Sequence, residues 1–173
     1  MRVQFKSLFK NKKMIVGKKW VCNNYFLVDR KVLTKQQNKW LDKQNLPDED
    51  EKLKKIIKEI CKYNISEKLV AQQIKFFVNN KKKDSIIAYM STKKGIDFYV
   101  DGMYYHFFTN RKVDIYITDN YSPISALYLI KNNKFVGLLM PLKIKSNKEF
   151  VDYDKWKKER EEEKRLKKES QIV

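Results

Sequence analysis

Glycine, proline, cysteine and histidine are all scarce in this 173-residue chain, which has four, three, two and one of them. The four glycines are isolated from one another, which excludes a glycine-rich phosphate-binding loop. We interpret the single histidine, His106, as a packed residue with one hydrogen bond rather than as a catalytic base. Cys22 and Cys61 lie far apart in apolar stretches, which indicates buried free thiols in a reducing compartment and no metal site.

Long apolar runs are scarce as well. The longest largely apolar run, 124–130, has about seven residues, whereas a helix that spans a bilayer needs about 18. The N-terminus is basic but is not followed by the apolar segment of a secretory signal. We therefore expect a soluble protein of the bacterial host cytoplasm that has no membrane partner.

Positive charge is abundant, with a net charge of +18, and only five of the 39 basic residues are arginine. Such a charge predicts a polyanionic partner, either nucleic acid or an acidic protein face. Lysine contacts phosphate without the fork geometry of arginine, so backbone contacts should dominate any binding to nucleic acid. Alternatively, the abundance of lysine, asparagine and isoleucine reflects a genome rich in A and T.

The fold class predicted from the sequence is α+β, because apolar residues make up 42% and aromatic residues 13% of the chain. We expect one domain over residues 1–149 and a charged helical tail over 150–173 that projects into solvent. Within the domain, 1–34 reads as a hairpin region, 35–78 as mainly helical and 85–145 as rich in antiparallel strands.

Several local signals support the N-terminal part of this assignment. Two asparagines, Asn23 and Asn24, separate apolar runs and indicate a tight hairpin turn. Thr34 and Gln37 have the spacing of a capping box, and the acidic run 48–51 precedes a helix. The apolar positions of this second helix are Leu53, Ile56, Ile57, Ile60 and Cys61. Residues 66–78 fit either a helix capped by Ser66 or a strand over 74–78, and 79–84 reads as a loop.

The C-terminal part alternates between strand patterns and turns. Candidate strands cover 86–90, 96–100, 113–118, 126–130 and 135–139, the last continuing to Ile144. A second asparagine pair, Asn132 and Asn133, predicts another hairpin turn. Residues 103–108 fit a strand or a short helix, and Phe150, Tyr153 and Trp156 could anchor the tail to the domain.

The acidic residues do not form a catalytic pattern. A metal-dependent nuclease needs acidic residues around a strand followed by Glu-x-Lys, and the acidic clusters at 48–51 and 159–163 fit a helix start and the tail instead. Asp97, Asp101 and Asp114 lie among strands without that motif. We therefore predict no enzyme activity, no catalytic or metal-binding residue and no cofactor.

The segment that begins at Gly95 and continues through Met140-Pro141-Leu142-Lys143 to Ile144 resembles the end of the bacterial DNA sliding clamp. The resemblance covers about 50 residues and implies that 103–108 form a short helix followed by three closing strands. In that family the terminal segment lines an apolar pocket for partner peptides, a role that would fall on Met140, Pro141, Leu142 and Lys143, although the family has arginine where this chain has Lys143. Alternatively, 138–144 is a core strand with Pro141 at its edge or end.

Three functions remain open on this basis. The first is a non-enzymatic protein, of phage or mobile-element type, that binds nucleic acid or a nucleoprotein complex. Its candidate nucleic-acid contacts are Lys10, Lys12, Lys13, Lys18, Lys19, Lys81, Lys82, Lys83, Arg111 and Lys112. Trp20, Tyr25 or Tyr104 would stack on bases, unless they pack in the core.

The other two functions depend on contact with a protein. One is an inhibitor of a bacterial defence complex, similar to anti-CRISPR proteins, and the other is a replication accessory related to the sliding clamp. The candidate partner-binding residues are Met140, Pro141, Leu142, Lys143 and Trp156.

Overall fold

The computed structural model describes residues 4–10, 12–79, 82–122, 125–143, 150–152, 158, 161–162 and 165–166, with the backbone alone at 73, 75–79, 82–85 and 150–152. Within these residues the chain is α+β, with strands in two mostly antiparallel sheets and helices packed on them. The predicted fold class is therefore confirmed.

The helices are α1 (Lys35–Asp42), α2 (Asp50–Ile60) and α3 (Gly102–Thr109), together with an N-terminal 3-10 helix (Phe5–Phe9) and a second 3-10 helix (Arg30–Val32). The strands are β1 (Ile15–Val16), β2 (Trp20–Cys22), β3 (Phe26–Asp29), β4 (Ile65–Leu69), β5 (Ala71–Asn79), β6 (Lys82–Ser91), β7 (Asp97–Asp101), β8 (Asp114–Thr118), β9 (Leu127–Lys131), β10 (Lys134–Leu139) and β11 (Phe150–Asp152). The described tail residues 158, 161–162 and 165–166 are helical and exposed.

Seven strands form the larger sheet, in the order β1-β2-β3-β10-β9-β8-β4, and the smaller sheet has the order β11-β5-β6-β7. The hairpin between β2 and β3 turns at the predicted asparagine pair. Asn23 stabilises this turn because its Oδ1 accepts the backbone N–H groups of Tyr25 and Phe26 at 2.8 and 3.0 Å. Asn132 and Asn133 turn the hairpin between β9 and β10 with φ angles of 50° and 58°, as their tolerance of positive φ predicts.

The larger sheet is buried on both faces, so its central strands do not alternate between apolar and polar residues. On β9, Leu127 and Leu129 pack into the main core, which also contains α3, the N-terminal 3-10 helix and part of the smaller sheet. Tyr128 and Ile130 point to the opposite face, where they meet Leu53 of α2. This two-sided burial explains why several strands have continuous apolar runs.

Both predicted helix starts are present. Thr34 accepts a hydrogen bond from the N–H of Gln37, and the Gln37 side chain accepts one from the N–H of Thr34, which completes the capping box of α1. Helix α2 begins at Asp50, within the acidic run. Its fully buried residue is Leu53, while Ile56, Ile57, Ile60 and Cys61 are half-buried against the same cluster.

Other predictions need correction. The helical region ends at Ile60, and 65–79 form β4 and β5, because β4 pairs with β8 and β5 pairs with β6. The expected loop at 79–84 is a hairpin whose strands reach Asn79 and Lys82. The tail begins as a strand, since β11 pairs with β5. Tyr153 and Trp156 lie outside the described residues.

The strand expected to run on to Ile144 ends at Leu139. Within β10, Gly137 lies at a bulge in the pairing with β9. A Cβ atom there would meet the carbonyl oxygen of Leu27 at 2.1 Å, so the close approach of β10 to β3 requires glycine. The short segment that the sliding-clamp resemblance assigns to a helix, 103–108, lies inside α3.

Candidate nucleic-acid interface

Three lysines lie along the outer side of α1. Lys35, Lys39 and Lys43 are spaced by four residues, which places them on one helix face, and all three are exposed. No acidic residue lies in the first turn of α1, so Lys35 faces the positive end of the helix dipole. Like charges four residues apart destabilise a helix, and so does a lysine at this end. Binding of an anionic partner would explain why these three lysines, the α1 stripe, are present.

Three more exposed lysines lie on one flank of α1. Lys18 and Lys19 occupy the turn between β1 and β2, and Lys31 lies in the second 3-10 helix. Together with Asp29, Arg30 and Asn38 they surround a shallow concavity of about 490 Å³. Lys18 makes an exposed ion pair with Asp48 at 3.7 Å, which solvent screening leaves weak.

Arg30 holds this flank together rather than offering a free charge. Its guanidinium donates to Asn38 Oδ1 at 3.0 Å, to the carbonyl oxygen of Gly17 at 3.1 Å and to Asp42 Oδ1 at 2.5 Å. The Arg30 side chain is only 15% exposed. It therefore ties the turn before β2 to α1 and fixes the lysines on either side of it.

The opposite flank of α1 is a groove between that helix and the N-terminal 3-10 helix. Lys6, Lys10 and Lys12 line it together with Trp40, in a concavity of about 530 Å³. Lys6 and Lys10 are exposed. The α1 basic face is defined here as the exposed lysines of α1 and of its two flanks, which are Lys6, Lys10, Lys18, Lys19, Lys31, Lys35, Lys39 and Lys43.

The groove continues into a larger pocket of about 700 Å³, which we call the Trp40 pocket. It forms where three helices meet: Phe5 comes from the N-terminal 3-10 helix, Trp40 from α1, and Phe107 and Arg111 from the end of α3. Phe5 meets the ring of Trp40 edge-on at 5.6 Å and stacks on Phe107 at 5.8 Å. The pocket wall is therefore aromatic and rigidly packed.

Arg111 lies over this aromatic wall. Its guanidinium carbon is 3.7 Å from the centre of the Phe107 ring, and its Nη1 donates to the Phe107 carbonyl oxygen at 2.9 Å. Burial lowers the pKa of Arg111, although the side chain stays charged at every physiological pH. Four side-chain amides, those of Gln4, Gln36, Gln37 and Asn110, line the same pocket.

The charge of the chain is concentrated in the part that builds this face. Residues 4–46 contain eleven basic and two acidic residues, a net of +9 and thus half of the total of +18. Residues 47–70, which include α2, contain six basic and six acidic residues. The segment that contains α1 is therefore strongly basic, whereas the segment that contains α2 is balanced in charge.

The structure separates the basic residues singled out in the sequence. Lys10, Lys18 and Lys19 belong to the α1 basic face, and Lys13 and Lys112 are exposed outside it. Lys81 lies outside the described residues, and for Lys82 and Lys83 only the backbone in β6 is described. The sequence search missed Lys6, Lys31, Lys35, Lys39, Lys43 and Trp40. The four-residue spacing of the three α1 lysines was the signal that could have identified them.

Lys12 is the exception among the clustered lysines. Its ammonium lies 4.5 Å from the centres of both the Tyr25 and the Tyr104 rings and donates a hydrogen bond to the Tyr104 hydroxyl. Desolvation lowers the pKa of Lys12, an effect that the charge of Asp101 partly opposes. Lys12 is thus engaged with the protein itself.

The aromatic residues proposed for base stacking are mostly in the core. Trp20 is 5% exposed and Tyr104 is 1% exposed, so neither ring is accessible to a base. Tyr25 is half-buried between Lys12 and Tyr104. The half-buried Trp40, at the centre of the groove, is the tryptophan whose position suits such a contact.

The candidate partner-binding segment lies between the two sheets. The N–H of Met140 donates to the carbonyl oxygen of Tyr25 at 2.7 Å, and the N–H of Leu142 donates to that of Tyr99 at 2.6 Å. Met140 and Lys143 are exposed, while Pro141 and Leu142 are half-buried. A peptide-binding role for this segment stays a prediction, and Trp156 lies outside the described residues.

The remaining reactive groups are packed. His106 is half-buried edge-on against Tyr105, and burial lowers its pKa. Both cysteines are free, and burial raises the pKa of Cys22 to about 11. Among the described residues, no three histidine, cysteine, aspartate or glutamate side chains lie together as a metal site requires. No helix in the described part of the chain is both long and apolar enough to cross a membrane.

No protein-family model, curated protein or solved structure matches this chain.

Proposed function

We propose that this protein binds nucleic acid through the α1 basic face and acts as a binding protein rather than as an enzyme. The observation that supports the proposal is the concentration of half the net charge in residues 4–46, which fold around α1. Lysine supplies nearly all of this charge, so the contacts would be made with phosphates and would depend little on base sequence.

The electrostatics of α1 also support binding to a polyanion. The helix begins with Lys35 and contains Lys39 four residues later, and Lys43 follows directly after its end. Lys35 at the first position and its repulsion with Lys39 both reduce the stability of the helix. A bound phosphate backbone would remove that cost by neutralising the lysines. Helix α2 differs at its start, because Asp50 and Glu51 lie in its first turn, whereas both helices have a lysine in the last turn.

The proposal is tested by the salt dependence of binding to a labelled oligonucleotide, measured by fluorescence anisotropy. We expect affinity to fall steeply as NaCl rises, with a slope of log K against log salt of about −3 to −4 for four to six contacts to a single strand. Replacing Lys35 and Lys39 together by alanine should make that slope shallower by about 1.4.

A matched control removes the same charge from α2, where Lys55 and Lys58 are exposed among acidic residues. Their double replacement by alanine should leave the affinity and the salt slope within error of the wild type. Absence of binding at low salt, or equal losses in the two double variants, would refute a nucleic-acid interface on α1. An acidic protein face would then be the better candidate for the partner.

A further inference from the structure

The Trp40 pocket is more than a continuation of the basic groove. Phosphate contacts need only exposed cations, yet this pocket has the half-buried ring of Trp40 backed by two buried phenylalanine rings, a guanidinium and four side-chain amides within about 700 Å³. That volume is in the usual range for sites that enclose a small organic group. A phosphate backbone would use none of the aromatic surface, so a second chemical group has to be considered.

We infer that the Trp40 pocket takes one unpaired base of a single-stranded nucleic acid, whose phosphates lie along Lys6 and Lys10. This inference rests on the proposed function and specifies the strand that the α1 basic face binds. A flat base with a π-face and polar edges matches each group that the pocket offers.

The stacking surface is fixed by packing before any ligand arrives. The half-buried Trp40 supplies this surface, because Phe5 and Phe107 are themselves buried. Phe5 packs against both Trp40 and Phe107, and Phe9 holds Trp40 at a ring distance of 5.8 Å. Arg111 is held 3.7 Å above Phe107 by its bond to the backbone. A guanidinium fixed in this way also stacks on bases, so base binding would cost little side-chain ordering.

The amides would contact the edge of the base. Gln37 is held in place because its Oε1 accepts the N–H of Thr34 at 3.0 Å in the capping box. Gln36 and Asn110 lie at the ends of α1 and α3 that border the pocket. Amide side chains both donate and accept hydrogen bonds, and they can therefore meet the mixed pattern of a base edge.

The geometry favours a single strand over a duplex. A base inside a duplex keeps both faces stacked, and it must be extruded before it can reach an aromatic pocket. Lys6 borders both the Trp40 pocket and the groove that also contains Lys10. A strand with one base in the pocket would therefore have its neighbouring phosphates beside these lysines.

The test compares a labelled oligothymidylate with an abasic oligomer of the same length, which has the same phosphates and no bases. We expect the abasic strand to bind about tenfold to a hundredfold more weakly, because base stacking is lost. A blunt duplex of matched length and thymidine monophosphate should both bind more weakly than the oligothymidylate.

Two variants distinguish base contacts from phosphate contacts. Arg111→Lys keeps the charge but loses the planar guanidinium, so it should weaken the oligothymidylate at least fivefold and leave the abasic strand unchanged. Lys10→Ala should weaken both strands by the same factor. Circular dichroism spectra and melting curves of both variants confirm that each remains folded.

Tryptophan fluorescence locates the base directly. The oligothymidylate should quench part of the wild-type emission, and Trp40→Phe should remove most of that quenching. Trp20→Phe is the matched control, because Trp20 is buried on the other side of the larger sheet, and it should leave the quenching unchanged.

The base-pocket inference is overturned if the abasic strand binds as tightly as the oligothymidylate, or if quenching survives in Trp40→Phe. Tight binding of the duplex or of thymidine monophosphate would overturn the single-strand assignment. Each of these outcomes leaves the salt-dependent phosphate binding of the α1 basic face intact. Failure of every strand to bind at low salt would instead refute the proposed function.

Discussion

Lys10 and Lys12 are two residues apart, yet their surroundings give them different properties. Lys10 ends the N-terminal 3-10 helix with its side chain in solvent, whereas Lys12 places its ammonium between two tyrosine rings. Desolvation lowers the pKa of Lys12. A lysine cluster in a sequence is therefore not a set of equivalent phosphate contacts, because burial decides which ammonium groups remain available.

At the scale of the residue, Cys22 predicts that the free energy of unfolding decreases at alkaline pH. Burial raises the pKa of its thiol from 9.0 to about 11 in the folded protein, although Lys52 partly opposes the shift. The unfolded thiol therefore releases its proton first as the pH rises. The stabilisation of the folded protein by the protonated thiol is complete below pH 9. It is lost as the pH approaches 11, which lowers the free energy of unfolding by about 2 kcal/mol.

Urea unfolding measured across this range, on the wild type and on Cys22→Ala, tests the prediction. The variant should have a lower free energy of unfolding below pH 9, and its decline between pH 9 and 11 should be shallower than that of the wild type. Parallel pH profiles for the two proteins would show that the Cys22 thiol does not contribute to alkaline unfolding.

At the scale of the element, α1 combines a strong start signal with unfavourable charges. Its capping box stabilises the first turn, while Lys35 opposes the helix dipole and repels Lys39. Local electrostatics would favour an acidic residue at the first position. Lys35, which is unfavourable for the helix, is therefore a candidate for a residue that is retained because it binds the partner.

Lys35→Glu tests this conflict between stability and binding. The substitution places a carboxylate at the positive end of the dipole, four residues before Lys39, so we expect the free energy of unfolding to rise by about 0.5–1 kcal/mol. Oligonucleotide affinity should fall several-fold in the same variant. Chemical denaturation and fluorescence anisotropy measure the two effects.

The control is the same substitution on α2, Lys55→Glu. There the new carboxylate would lie four residues from both Glu51 and Glu59. The same change of charge should there reduce stability by a few tenths of a kcal/mol and leave binding unchanged. If Lys35→Glu also lowered stability, or left affinity unchanged, the assignment of a binding role to the α1 stripe would be wrong.

At the scale of the whole molecule, the larger sheet joins two different surfaces. One of its faces is covered by the charge-balanced α2, and the other lies over the main core next to the strongly basic α1 region. Because the strands are buried on both faces, the two sides should unfold together as one cooperative unit.

Leu53→Ala tests that cooperativity, because Leu53 is fully buried between α2 and the sheet. We expect a loss of about 3 kcal/mol with a single unfolding transition and an unchanged m-value. Leu46→Ala is the control, since Leu46 is 42% exposed, and it should change stability by less than about 0.5 kcal/mol. A second transition in Leu53→Ala would mean that α2 unfolds separately from the rest.

Local signals in the sequence were sufficient wherever a few adjacent residues determine the backbone. The pair Asn132–Asn133 specifies a hairpin turn because asparagine tolerates positive φ. Asn23 specifies the other turn without positive φ, because its side chain accepts the N–H groups of Tyr25 and Phe26. Thr34 and Gln37 specify a helix start because each side chain bonds to the other residue's N–H. The apolar spacing from Leu53 to Ile60 likewise predicts the buried face of α2.

Tertiary pairing decided what neighbouring residues could not. The segment 66–78 is compatible with a helix or a strand, and it becomes strand because β4 and β5 complete the hydrogen bonds of β8 and β6. The Trp40 pocket combines side chains near positions 5, 40 and 110, which no local pattern connects. Net charge and its concentration in residues 4–46 can be read from the sequence. The arrangement of these lysines around α1, and the separation of Lys12 from them, arise only when distant segments pack together.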